Sequence, residues 1–127
     1  MTFKCYLNEG PIPKKNQNGD CYIKAYQYFQ ANAFKNNNLI LVHGLVTGQG
    51  PLEGIVYNHA WIEDGNKIID LTLPPKLQKS FSKSKYYKIG KIKESNVYKY
   101  NYNEVIEKSI EYKTYGPWEK KLLRNKY

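Results

Sequence analysis

Asn58-His59-Ala60-Trp61-Ile62-Glu63-Asp64-Gly65-Asn66-Lys67-Ile68-Ile69-Asp70-Leu71-Thr72 is the stretch that decides the fold. Aromatic and β-branched residues crowd both sides of Asp64-Gly65, a strong two-residue hairpin signal. The pattern predicts a strand from Ile55 to Glu63 and another from Lys67 to Thr72. If Asp64-Gly65 is the turn, Glu63 faces Asn66, Trp61 faces Ile68 and His59 faces Asp70. Directly opposed residues share a face, with Cβ atoms about 4.5–5.5 Å apart. Ala60 and Ile69 then point to the other face. A three-residue loop would shift the register by one and set Leu71 opposite His59.

Upstream of the hairpin, Leu39-Ile40-Leu41-Val42-His43 reads as a buried strand. The segment from Gly44 to Gly54, with four glycines and Pro51, reads as a loop. Further back, Ile23, Tyr26, Phe29, Ala33 and Phe34 fall near helical spacing, which predicts a helix from about Asp20 to about Phe34. Asp20 suits its N-cap, and Asn36-Asn37-Asn38 its end. Residues 8–20 read as turn and loop, after a short apolar piece from Thr2 to Leu7. Downstream, Pro74-Pro75 stops the third strand and residues 76–84 read as exposed. Tyr86 to Ile92 reads as a further strand, and Glu104 to Tyr112 as a helix with Asn103 as the candidate start. Gly116-Pro117 breaks that helix, and Trp118 to Leu123 suits a last short one. At 127 residues the chain suits one domain, 1–127, with a single core.

The chemistry gathers at three side chains. Cys21 stands at the predicted helix start, where unpaired amides favour the nucleophilic thiolate; Asp20 beside it works in the opposite sense. A lone cysteine is most often a small buried hydrophobe. An aspartate opposite His59 would orient the imidazole and favour its protonated form.

Gly19-Asp20-Cys21 before a helix, His59-Ala60-Trp61-Ile62-Glu63 on a strand and Asp70-Leu71-Thr72 on the next resemble the transglutaminase-like branch of the papain-like cysteine enzymes. The resemblance covers residues 19 to 72 in short blocks. It implies an α+β papain-like or transglutaminase-like fold. A Cys-bearing helix would pack on an antiparallel sheet, with a C-terminal helical segment covering an edge or the second face. It implies Cys21 as nucleophile, His59 as general base and Asp70 as its orienter. The span between Cys21 and His59 is short for a full transglutaminase. The oxyanion donor is the Cys21 amide or the Gln17 side chain, and Trp61 is a core or cleft-wall aromatic.

The expected reaction is thiol-based acyl transfer on a protein or peptide amide or ester. Hydrolysis by a peptidase, amidase or deamidase is favoured over transglutamination. No cofactor is expected. A zinc site of Cys21, His43 and His59 lacks a close-spaced ligand pair, and His43 reads as a satisfied structural histidine. Gly48-Gln49-Gly50-Pro51 lacks the ending of a phosphate loop and reads as a permissive turn. Tyr98-Lys99-Tyr100-Asn101-Tyr102 interleaves bases and aromatics as some single-strand binders do, and equally fits a plain strand.

The net charge is +9, with Arg124 the lone arginine. Such a surface attracts anionic partners, but readers of bases and phosphates favour the arginine fork. The alternative function is therefore a non-catalytic basic binding protein, of a kind a phage could encode, that takes nucleic acid or a host protein. No apolar run approaches the about 20 residues that span a bilayer, and no membrane partner is expected. Two cysteines allow one disulfide, but the N-terminus carries no apolar signal run. The expectation is a cytoplasmic protein with reduced thiols.

Overall fold

The computed structural model describes the backbone of residues 14–124 and the side chains from residue 21. It is a mixed α+β fold around a four-stranded antiparallel sheet. Helix α1 spans Lys14–Asn32. Strands β1 (Leu39–Thr47), β2 (Val56–Asp64) and β3 (Lys67–Ile69) follow, then α2 (Lys83–Ile89), β4 (Val97–Tyr100), α3 (Tyr102–Tyr112) and α4 (Lys120–Leu123). The strand order is β3-β2-β1-β4. The apolar piece from Thr2 to Leu7 and the first part of the expected loop lie outside the described residues.

The hairpin forms with its turn one residue later than expected. Gly65 and Asn66 make the turn, with Asp64 paired to Lys67, Glu63 to Ile68 and Ile62 to Ile69. Gly65 takes φ 60°, the left-handed value that glycine adopts without a Cβ penalty. The opposition of Glu63 to Asn66, of Trp61 to Ile68 and of His59 to Asp70 is corrected. Each partner on the third strand moves by two residues. Because side chains alternate with period two, an even shift leaves every residue on its expected face. The third strand also ends at Ile69, so Asp70-Leu71-Thr72 leaves the sheet as a turn.

Antiparallel register sorts the sheet into two faces. Leu41, His43, Asn58, Ala60, Ile62 and Tyr100 point one way. Helix α1 and the C-terminal segment cover them: the Tyr22 hydroxyl donates to Asn58 Oδ1 at 2.8 Å, and the Asn58 amide to the Leu122 carbonyl at 2.9 Å. Val42, Val46, Tyr57, His59 and Trp61 point the other way. The α2 layer covers that side, with Trp61 against Tyr86 at 5.5 Å between ring centroids. Trp61, Tyr57, Tyr86, Leu41 and Ile62 are wholly buried, each such side chain contributing about 1.5–3 kcal/mol.

Several expectations change. The first helix begins at Lys14, so residues 16–20 are helical and Asp20 is not its cap. β1 continues through Gly44 to Thr47 instead of entering a loop, because both neighbouring strands pair with Gly44. Tyr86 to Ile92 is not a strand: Lys83–Ile89 is helical, with the Ser82 hydroxyl accepting from the Lys85 amide. α3 opens on a capping box at Asn101 with Glu104. Tyr98 to Tyr100 lies in the plain strand β4.

Candidate active site

The structure brings His59 and Asp70 together. His59 Nε2 lies 3.1 Å from Asp70 Oδ2, with both side chains fully buried. The contact is diagonal, made from the end of β3 instead of across a directly opposed pair. An ionised carboxylate only accepts, so Nε2–H is the donor, and in the neutral form of the ring the basic nitrogen is Nδ1.

Asp70 is held from several sides. The Tyr86 hydroxyl donates to Oδ2 at 2.6 Å. The Thr72 amide and hydroxyl donate to Oδ1 at 3.0 and 2.7 Å, the local turn bonding that aspartate readily makes. Burial by itself raises the Asp70 pKa. The charge of His59 and the hydrogen bonds from His59, Tyr86 and Thr72 outweigh it, so Asp70 titrates below its ordinary 3.8. Tyr86 is held well above its ordinary value, first by burial and then by Asp70, so it stays a donor. The strand-like pattern of Tyr86 to Ile92 conceals Tyr86, and Thr72 enters the sequence only as the end of the Asp-x-Thr block.

Cys21 is buried, at 1% exposure, within α1. With α1 starting at Lys14, Cys21 sits seven positions in. The helix dipole acts within the first turn, so activation by the helix start does not operate here. Cys21 is also disulfide-bonded, which corrects the expectation of reduced thiols. A cysteine count cannot tell whether a sulfur finds a partner at bonding geometry. Cys5 lies outside the described residues.

The three residues come from two layers. Cys21 adjoins Tyr22, whose hydroxyl bonds Asn58, one residue before His59. Consecutive strand residues face opposite sides, so His59 projects away from α1. β1 pairs with β2 from Val56 to Asp64, whereas β3 reaches only Ile62 to Asp64. A thiolate and the imidazole can therefore meet only around the β2 edge beyond the end of β3.

Gln17 falls within α1, with its side chain outside the description. Trp61 is core: it is fully buried and its indole donates to Glu63 Oε2 at 3.2 Å. Glu63 also accepts the Tyr87 hydroxyl at 2.5 Å and draws Lys99 Nζ to 3.5 Å. The last residue of the His-Ala-Trp-x-Glu block thus ties β2 to α2 and β4.

His43 is not the satisfied histidine expected. Its ring is fully buried among Tyr22, Trp118 and Tyr100, at centroid distances of 4.7, 4.9 and 5.2 Å. Neither ring nitrogen has a hydrogen-bond partner among the described residues. Burial lowers its pKa from 6.5 to about 3, so it is neutral at pH 7. Gly116, at φ 117°, closes this box, and a Cβ there would stand 2.5 Å from His43 Cε1. Among the described residues no group of three His, Cys, Asp or Glu side chains could hold a metal ion. No helix there is long and apolar enough to cross a membrane.

No protein-family model matches this chain, and no curated protein or solved structure matches it.

Proposed function

We propose that this protein is a cysteine-dependent acyl-transfer enzyme, hydrolytic in preference to transglutaminating, with Cys21, His59 and Asp70 as its nucleophile, base and orienter. The observation that carries the reading is the 3.1 Å contact of His59 Nε2 with an Asp70 carboxylate that Tyr86 and Thr72 hold. That arrangement favours the tautomer with its proton on Nε2, which makes Nδ1 the basic nitrogen that accepts the proton. After a dithiol reduces the disulfide, Nδ1 takes the Cys21 proton. The thiolate attacks an amide or ester carbonyl, and the leaving amine or alcohol departs with that proton. Water then cleaves the thioester and regenerates the thiol.

A second reading is a non-catalytic protein that keeps this arrangement as a structural element and works by binding through its basic surface. The complete burial of His59 and Asp70 and the disulfide at Cys21 favour it.

Alkylation of Cys21 against pH separates the two, measured under reductant in a Cys5→Ser background with a His59→Ala control. Reaction well below pH 8 that the His59 change abolishes is expected of the enzyme. A thiol that titrates near ~8.5 and ignores His59 removes the catalytic reading.

A further inference from the structure

Away from His59, a groove of about 320 Å³ opens between the end of α1 and β3. Leu39 and Ile69, both on the α1 side of the sheet, give it an aliphatic floor, and its rim carries Lys35, Lys67 and Lys79. Asp64 is the lone carboxylate of the lining, and the Asn36 amide engages it at 3.3 Å. Ile69 adjoins Asp70 in the chain but points to the α1 side of the sheet, opposite to His59, so the groove and the candidate active site lie on different faces.

The groove also opens into the most basic part of the chain. From Lys76 to Lys93 there are seven lysines and no acidic residue, against a net charge of +9 for the whole molecule. The Lys67–Ser82 bridge sets the start of this segment beside β3, and the positive field at the groove comes from Lys35, Lys67 and Lys79. Such a field concentrates anions at its mouth, while the aliphatic floor rewards an apolar group.

We propose that this groove docks an acidic protein segment carrying a large apolar side chain between its carboxylates. The apolar residue fills the floor over Leu39 and Ile69, and the flanking carboxylates meet Lys35, Lys67 and Lys79. Three observations favour a peptide over nucleic acid. The floor is aliphatic and offers no stacking surface. The rim cations are all lysine, without the planar fork that reads phosphate and base edges. The Tyr28 ring at the wall is already approached by Lys79 Nζ, at 5.7 Å from its centroid. Edge-strand addition is closed off, since the Ile68 and Asp70 amides already donate to the Phe81 and Gln78 carbonyls.

The test is fluorescence anisotropy on the full chain with three labelled probes: a peptide with glutamates flanking a Leu-Phe pair, the same peptide with Ser-Ser in its place, and an oligothymidylate of equal charge. The Leu-Phe peptide is expected to bind at least about tenfold more tightly than either control. The double variant Lys35→Glu/Lys79→Glu should lose about tenfold of that affinity. Lys120→Glu/Arg124→Glu, on and beside α4, should change it less than about twofold. Circular dichroism confirms that both variants stay folded. The proposal is overturned if the Leu-Phe pair adds nothing, if the oligothymidylate binds as tightly, or if both double variants lose affinity equally. Cys21 and His59 enter none of these measurements, so the result stands apart from the catalytic reading.

Discussion

At the residue scale, the two histidines show how identical side chains diverge with surroundings. His59 has a carboxylate partner in Asp70, whereas among the described residues His43 has no hydrogen-bond partner and packs against aromatic rings and Gly116. Neutral His43 is compatible with the fold and protonated His43 is not, because burial without a partner penalises the charge. Its folded pKa of about 3 lies below the 6.5 of the unfolded chain, so the unfolded state binds the extra proton. Stability is therefore complete above pH 6.5 and falls as pH drops from there toward about 3. The slope is about 1.4 kcal/mol per pH unit inside that window. Asp70 adds its own loss only below 3.8, as pH falls toward its depressed folded value. Urea unfolding at pH 7 and pH 5 should show a loss in the parent protein of about 2 kcal/mol that His43→Phe removes. Equal pH slopes in the two proteins would refute this assignment.

At the scale of elements, end chemistry separates the segments that were legible from those that were not. α3 carries a complete capping box: the Asn101 side chain accepts from the Glu104 amide at 2.9 Å, and Glu104 accepts from the Asn101 amide at 2.9 Å. Asn101→Ala leaves both ends of this exchange open and should cost about 1 kcal/mol in chemical denaturation. Asn103→Ala, inside the helix, should be nearly silent, and a similar loss at both positions would contradict the cap. α2 shows the opposite case. Tyr86, Tyr87, Ile89 and Ile92 fit a short strand as well as a helical turn, and periodicity cannot separate the two over so few residues. The helix is selected by contacts from elsewhere, with Tyr86 reaching Asp70 and Tyr87 reaching Glu63.

At the scale of the whole molecule, β1 is the central element. It is paired along both edges over Leu41–Gly44, between β2 and β4, with a layer on each face, whereas β2 has both edges paired only over Ile62–Asp64. Opening its amides requires removing both layers, whereas β3 is a three-residue strand at the edge. Native-state hydrogen exchange should therefore find Leu41, Val42 and His43 exchanging only through global unfolding. The Lys67 to Ile69 amides should exchange by local opening at lower free energy. Protection of β3 equal to that of β1 would show that the two form a single cooperative unit.

The sequence by itself determined the α+β class and the antiparallel hairpin. The reason is local: period-two alternation across a two-residue turn sets which side chains point together, and a shift of two residues leaves that unchanged. Tertiary structure alone decided the diagonal His59–Asp70 contact, the Tyr86 donor, the aromatic box around His43 and the disulfide at Cys21. It also decided the position of Cys21 along α1, since the helix runs back to Lys14 past the expected cap. These depend on which layer covers which face and where β3 stops. That is settled by burial and hydrogen-bond satisfaction between segments distant in the chain, which no local pattern encodes.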